Sequence, residues 1–187
     1  MTSVSIGTKK ALLGLVATGL GLGVAAPAAF WLVSLLLDRA FGLGPVAPVP
    51  VSLILAAAAI LVGAFWVSWS YSYLFFVGKG LPLEAFGRAL HPTSILVTAG
   101  PYAYTRNPMV LGALFTLLGV ALLRRSVAGI VMVPALAGVA AAYLVGFEEK
   151  ALVKRFGEDY GEYRRNVPML IPRLSPYVHE PVSTPNP

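Results

Sequence analysis

The chain has 187 residues, of which 57% are hydrophobic and only 12% are charged, and its mean hydropathy is +0.78. This composition indicates a membrane protein. The absence of cysteine excludes disulfides, iron–sulfur clusters and cysteine-ligated zinc, and the presence of only two histidines excludes a polyhistidine metal site.

Four apolar stretches are candidates for membrane helices, each of which needs about 20 consecutive apolar residues. Residues 11–37, 46–77 and 126–147 are full spans, whereas residues 110–123 lie at the lower limit of length. The first stretch is too long for a signal peptide, so we interpret it as a membrane helix. We therefore predict an all-α fold, a polytopic membrane helical bundle of about four to five transmembrane helices.

The 14 lysines and arginines are unevenly distributed between these stretches. If the helices alternate in direction, all of them except Arg39, Arg124 and Arg125 lie on the same side of the membrane. The positive-inside rule then places both termini and residues 79–107 in the cytoplasm. The Arg124-Arg125 pair departs from this rule. It indicates either a helical hairpin whose tip lies at the far interface or a different number of helices.

Composition divides the chain into three parts. Residues 1–77 form a predicted N-terminal transmembrane scaffold, in which Gly19 and Gly23 have the small-residue spacing that lets helices approach closely. Residues 78–174 contain the polar motifs and begin with a predicted interfacial loop and short helix. Residues 175–187 contain four prolines and predict a flexible tail. Aromatic residues at the end of the scaffold are typical of an interfacial belt, with a cation-holding wall as the alternative. They are Trp66, Trp69, Tyr71 and Tyr73.

Two segments concentrate polar residues at the predicted cytoplasmic boundary. Residues 94–112 begin like a buried strand, turn at Gly100-Pro101 and place Arg106 just before an apolar helix. Residues 147–172 follow the last apolar run and contain a helical stripe from Glu149 to Val167. A cytoplasmic amphipathic helix on anionic headgroups would explain the basic face of this second segment. It would not explain two adjacent carboxylates at the boundary, which are costly unless paired or functional. Arg106 is the predicted partner.

Two stretches carry a family resemblance, ILVTAGPYAYTRNPMVLG and EEKALVKRFGEDYGEYRRNVPMLIP. Together they resemble the integral-membrane methyltransferases of the isoprenylcysteine carboxyl methyltransferase and phospholipid N-methyltransferase superfamily. The resemblance implies a methyltransferase that uses S-adenosyl-L-methionine, held by a cytoplasmic C-terminal helical cofactor-binding region that is open laterally to lipid. It also implies a lipophilic small molecule or lipid as acceptor and membrane lipids as partners, without nucleic acid or metal.

The resemblance assigns individual residues to the cofactor and to catalysis. The expected catalytic residues are Arg106, which can make a bidentate contact with a carboxylate, and Glu149, the candidate general base. The closing part of the family pattern is matched by Phe156-Gly157, Tyr160, Tyr163 and Val167-Pro168. The expected cofactor-binding residues are Ser94, Ile95, Leu96, Val97, Gly100, Tyr102, Asn107, Pro108, Met109, Val110 and Glu148.

The sequence departs from the family members that methylate prenylcysteine. Those members usually have histidine in place of Ser94 and Asn107 and tyrosine in place of Val110, and they carry a substrate-side arginine where this chain has Leu144. The cofactor expectation survives these departures because the turn, Arg106 and the glutamates remain. A prenylcysteine substrate does not follow, and a carboxylate, an amine, a thiol and a phenol all stay open as acceptors.

Two other functions stay open at the level of the sequence. A membrane reductase of related architecture would hold NADPH, whose 2′-phosphate calls for a basic cluster, and residues 94–112 offer mainly Arg106. The second alternative is a membrane binding protein that has kept the shape of the pocket but has no catalytic activity. The structural alternative for Arg106 and Glu149 is a helix-end ion pair without a functional role.

Overall fold

A computed structural model describes residues 21–78, 84–85, 88–89 and 95–178. Within these residues the regular secondary structure is helical apart from one short antiparallel ladder, in which β1 (Glu84–Ala85) pairs with β2 (Arg88–Ala89), and an isolated bridge between Pro45 and Ser126. The first helix follows a π-helical turn, and a second π-helical turn at Leu144–Glu148 joins the last two helices. The helices are α1 (Ala26–Ala40), α2 (Val49–Phe76), α3 (Pro108–Leu123), α4 (Val127–Tyr143) and α5 (Glu149–Asn166).

Three helical segments in the described residues are long and apolar enough to cross a membrane, which confirms the predicted polytopic helical bundle. They are Gly23–Ala40, Val49–Phe76 and Val127–Asn166, and only the part of the last one before Glu148 is apolar. Helix α3 is apolar but shorter. Residues 11–20 of the first predicted span lie outside the described residues, as does most of the predicted interfacial loop.

Helix boundaries follow local chemistry. Helix α3 begins at Pro108, whose fixed φ suits the first helical position and whose missing N–H needs no partner there. Helix α4 begins after Ser126, which has extended backbone and whose hydroxyl accepts a hydrogen bond from Gly129 N at 2.8 Å. The hairpin between these helices turns at Arg125, which adopts φ +59°.

Helices α2 and α3 pack together through glycines. A Cβ atom added to Gly112 would lie 2.7 Å from Val67 Cγ2 and 2.8 Å from Gly63 O, closer than real contacts allow. Such close approach lets two helices gain dispersion contacts where lipid supplies no hydrophobic driving force. The sequence prediction placed this kind of contact at Gly19 and Gly23. Gly19 lies outside the described residues, and a Cβ added to Gly23 would meet no described atom within 4 Å.

The turn between α3 and α4 is bonded to the end of α1 and to the connection between α1 and α2. Arg125 Nε donates to Ala47 O at 2.8 Å, and Arg124 forms an ion pair with Asp38 at 3.3 Å. The other Asp38 oxygen accepts from Ala128 N at 3.0 Å, at the start of α4. The departure from the positive-inside rule therefore corresponds to a hairpin tip, where both arginines bind other parts of the chain.

Substitution of Gly112 tests the close packing of α2 against α3. Gly112→Ala should destabilise the protein by about 1–3 kcal/mol, because the new methyl group forces the two helices apart. The matched control is Gly138→Ala on α4, where an added Cβ meets no described atom within 4 Å and alanine favours the helix. Thermal unfolding in detergent should show a lower Tm for Gly112→Ala and an equal or higher Tm for Gly138→Ala. Equal Tm values for the two variants would contradict the close packing of α2 and α3.

Candidate functional site

The loop before α3 lies at the opposite end of the bundle from the α3–α4 turn. It makes a short 3-10 turn at Gly100–Ala103. Gly100 has φ +61°, and a Cβ atom there would overlap the ring of Tyr73 on α2, so both conformation and space require glycine. The ring of Trp69, also on α2, lies 5.9 Å from the ring of Tyr104 in the loop. Two members of the predicted aromatic belt therefore pack against the loop.

Residues 167–178, which we name the C-terminal strap, pair with this loop through backbone hydrogen bonds. Two bonds fix the residues directly before α3, and two fix the turn. They run from Arg106 N to Pro168 O (2.9 Å), Asn107 N to Met169 O (3.2 Å), Arg173 N to Tyr104 O (2.9 Å) and Tyr177 N to Ala103 O (2.9 Å). The buried hydroxyl of Thr105 also donates to Met169 O, at 2.8 Å. The loop is thus held by the strap as well as by α2.

Arg106 joins the loop to α5 through a buried ion pair. Its Nη1 atom donates to Glu149 Oε1 and, at 3.3 Å, to the hydroxyl of Tyr160, while Nε donates to Val167 O at 2.9 Å. The exposed fraction is 9% for the Arg106 side chain and 4% for that of Glu149. This geometry agrees with the prediction that Arg106 is the partner of the boundary carboxylates.

The second oxygen of Glu149 faces another cation. Glu149 Oε2 lies 3.2 Å from Arg164 Nε as an ion pair, but it makes no hydrogen bond to a described residue. Arg164 is half exposed, whereas Glu149 is buried. Sequence reasoning missed this contact. The two residues are 15 positions apart on α5, and a break in the helix changes their relative direction.

That break is at Gly157, which has φ +56° and ψ −126° inside α5. The second half of the helix turns so that Tyr160, Tyr163 and Val167 form a buried cluster. The Tyr163 hydroxyl donates to Tyr102 O at 2.7 Å. Most of the predicted helical stripe is buried, but Val153, which lies before the kink, is exposed.

Tyr102 and Glu148 add a second polar pair beside the buried ion pair. Burial raises the pKa of the Tyr102 phenol, and the nearby Glu148 carboxylate raises it further. The phenol therefore stays protonated at physiological pH and is able to donate a hydrogen bond. The π-helical turn at Leu144–Glu148 places Glu148 and Glu149 at the end of the apolar span. Such turns are frequent at functional sites.

The structure brings together some of the predicted site residues and not others. Tyr102, Arg106, Glu148 and Glu149 are joined by hydrogen bonds, an ion pair or electrostatic proximity. Ser94 lies outside the described residues. Ile95 is exposed, Leu96 packs against the tyrosine cluster, and Val97 is buried. The Asn107 side chain donates to Met169 O at 3.1 Å, and Pro108, Met109 and Val110 form the first turn of α3.

The polar groups of this site provide both donors and acceptors of hydrogen bonds to a ligand. The hydrogen bonds of Arg106 to described residues use Nε and Nη1, so Nη2 is able to donate to a further acceptor. Two carboxylates and a protonated phenol provide acceptors for an ammonium and a donor for a carboxylate or hydroxyl. The described residues contain no group of three or more His, Asp or Glu side chains placed to hold a metal ion. The arrangement suits a zwitterionic organic ligand.

The fold and this site define an integral-membrane protein with a buried polar site at one end of its helical bundle. The sequence model of the phospholipid methyltransferase family matches residues 51–159. The match covers more than half of the chain and contains Arg106, Glu148 and Glu149, so the chain belongs to the phospholipid methyltransferase family. No curated protein matches the chain.

Substitution of Gly157 tests the kink in α5. Gly157→Ala should lower stability by about 1–3 kcal/mol, because an L-residue is strained at this φ and ψ. Gly161→Ala is the matched control on the same helix, since its nearest described neighbour would lie 3.7 Å from the new Cβ and alanine favours the helix. Thermal unfolding of both variants measures the difference. A Gly157→Ala protein as stable as the Gly161→Ala protein would contradict the kinked geometry.

Proposed function

We propose that this family member transfers a methyl group from S-adenosyl-L-methionine to a lipophilic or lipid-like acceptor at the membrane boundary. The observation that carries the proposal is the buried Arg106–Glu149 pair at the end of an apolar bundle, with Tyr102 and Glu148 beside it. A bound S-adenosyl-L-methionine supplies an electrophilic methyl group on a sulfonium cation. The distribution of basic residues supports a cytoplasmic position for the site and both termini.

The residues of the site match the polar groups of this cofactor. Its amino-acid end carries a carboxylate and an ammonium, which suit the Nη2 atom of Arg106 and the carboxylate of Glu148. The Arg106 guanidinium is already oriented by Glu149, Tyr160 and the Val167 carbonyl, so binding would require little additional ordering. The planar guanidinium favours a carboxylate as its partner, because their contact is a charge-assisted hydrogen bond.

Glu149 has a separate proposed role toward the acceptor. Methyl transfer depends mainly on holding the nucleophile in line with the methyl group and sulfur at near-contact distance. An acceptor that arrives as an ammonium, thiol or alcohol must also lose a proton, and Glu149 Oε2 makes no hydrogen bond to a described residue. That oxygen is the candidate proton acceptor, reached when the half-exposed Arg164 side chain moves aside.

The division of roles predicts different effects for the two partners of the ion pair. Arg106→Ala should weaken S-adenosyl-L-methionine binding tenfold to a hundredfold, from loss of a contact of about 1.5–3 kcal/mol. Glu149→Gln should leave that affinity nearly unchanged and lower turnover by about a hundredfold or more if the acceptor must lose a proton. Calorimetric titration and transfer of labelled methyl groups to a lipid extract measure the two quantities.

The controls are Arg165→Ala and Glu158→Gln. They make the same two changes in an exposed ion pair on α5, in which the charged atoms lie 3.3 Å apart. Both should retain affinity and turnover, because an exposed pair contributes little. If Arg106→Ala and Glu149→Gln both melt much earlier while the folded fraction binds the cofactor normally, the pair is purely structural. That outcome would contradict the proposed site.

A further inference from the structure

The C-terminal strap lies beyond the part of the chain that matches the family model. Its inner edge is docked, since Tyr177 packs against the tyrosine cluster and donates through its hydroxyl to Glu162 Oε1 at 3.1 Å. Tyr177 belongs to the segment predicted as a flexible tail, so the docked part of the chain extends further than predicted. Residues 179–187 of that segment lie outside the described residues.

Three large apolar side chains of the strap are mostly exposed. Leu174 is fully exposed, and the exposed fractions of Ile171 and Val178 are 80% and 75%. Exposure of three aliphatic side chains to this extent within eight residues is costly in water, because each forgoes most of the transfer free energy of burial. Something apolar is expected to cover this side of the strap.

The position of the strap identifies the surface that is available. Met169 accepts hydrogen bonds from Asn107, the residue directly before the apolar helix α3. Arg106, one residue earlier, is paired with Glu149, which follows the end of the last apolar span. Two elements that leave the apolar bundle therefore hold the strap at the level of the membrane boundary.

The charges around the strap favour an anionic surface. Basic residues exceed acidic ones from α5 to the end of the strap, and Arg164 and Arg165 both have substantially exposed side chains. The acidic residues outside the buried site in this region are Glu158, Asp159 and Glu162, and two of them already have partners: Glu158 pairs with Arg165, and Glu162 accepts from Tyr177. The basic residues are Lys150, Lys154, Arg155, Arg164, Arg165 and Arg173.

We propose that Ile171, Leu174 and Val178 insert into the interfacial layer of the bilayer that holds the chain, and that the neighbouring basic side chains direct this contact to anionic lipid headgroups. Apolar insertion combined with electrostatic attraction is the general basis of interfacial binding. The strap fixes the backbone of Arg106 and Asn107, so its seating on the membrane surface also stabilises the geometry of the site.

Site-directed fluorescence on the full chain tests this proposal, because the chain has no native cysteine. Leu174→Cys carries an environment-sensitive fluorophore, and Glu158→Cys, at an α5 side chain that is 89% exposed, is the aqueous control. Both proteins are reconstituted into phosphatidylcholine vesicles with and without phosphatidylglycerol. With phosphatidylglycerol, the label at Leu174 should be quenched several-fold less by iodide than the label at Glu158 and should be quenched by nitroxide lipids.

The remaining outcomes each overturn the proposal or a defined part of it. Equal iodide quenching at the two positions would show that the strap stays in water. Protection of the Leu174 label from iodide without quenching by nitroxide lipids would show that protein, such as a second copy of the chain, covers the strap. Equal insertion in the two vesicle types would refute the role of the basic side chains. Unchanged Tm values for both labelled proteins verify that neither substitution disturbs the fold.

Discussion

The buried ion pair between Arg106 and Glu149 joins the three parts of the chain that form the site. Arg106 belongs to the loop before α3, Glu149 begins α5, and the same guanidinium binds the Val167 carbonyl at the start of the strap. A buried charge without a partner costs several kcal/mol, so each partner restricts the position of the other. The loop, the last helix and the strap therefore adopt one mutual arrangement.

That arrangement requires a rigid frame, which α2 and α3 provide. Their glycine contacts fix the distance between the two helices, and Tyr73 and Trp69 extend the α2 surface to the loop. At the other end, Asp38 and Arg124 fasten the α3–α4 turn to α1. Each of the two ion pairs leaves one buried polar atom without a hydrogen bond to a described residue, Arg124 Nε at one end and Glu149 Oε2 at the other. The Asp38–Arg124 pair connects helices, whereas Arg106 connects the loop, α5 and the strap.

Much of the fold was predictable because apolar length and charge distribution are local properties of the sequence. Residues 46–77 predicted α2 to within three residues at each end, and Pro108 and Ser126 are recognisable starts of helices. The Arg106–Glu149 pairing was also predictable, since a boundary carboxylate needs a partner and few basic residues were available on the same side. Contacts that depend on tertiary geometry were not predictable. The strand-like start of residues 94–112 forms no strand from Ile95 onward. The backbone hydrogen bonds from this segment to the strap involve Ala103 to Asn107, and they depend on a distant part of the chain.

The α5 kink illustrates the same limit. Helical spacing from Glu149 to Val167 predicted the buried tyrosines but placed the exposed Val153 among them. Periodicity assumes a straight helix, so it did not indicate the break at Gly157. The contact of Arg164 with Glu149 depends on that break, as does the strap's approach to the loop. No pattern of side chains in the sequence indicates which residue contacts the carbonyl of Val167 or the ring of Tyr73.

Calorimetric titration of the purified chain in detergent with S-adenosyl-L-methionine and, separately, with NADPH tests the central claim most directly. The claim is that the Arg106–Glu149 junction forms a cofactor site for methyl transfer. The account predicts saturable binding of S-adenosyl-L-methionine with one molecule per chain and no binding of NADPH. Binding of NADPH alone would indicate a reductase, and the absence of binding by either compound would leave the junction as a purely structural ion pair.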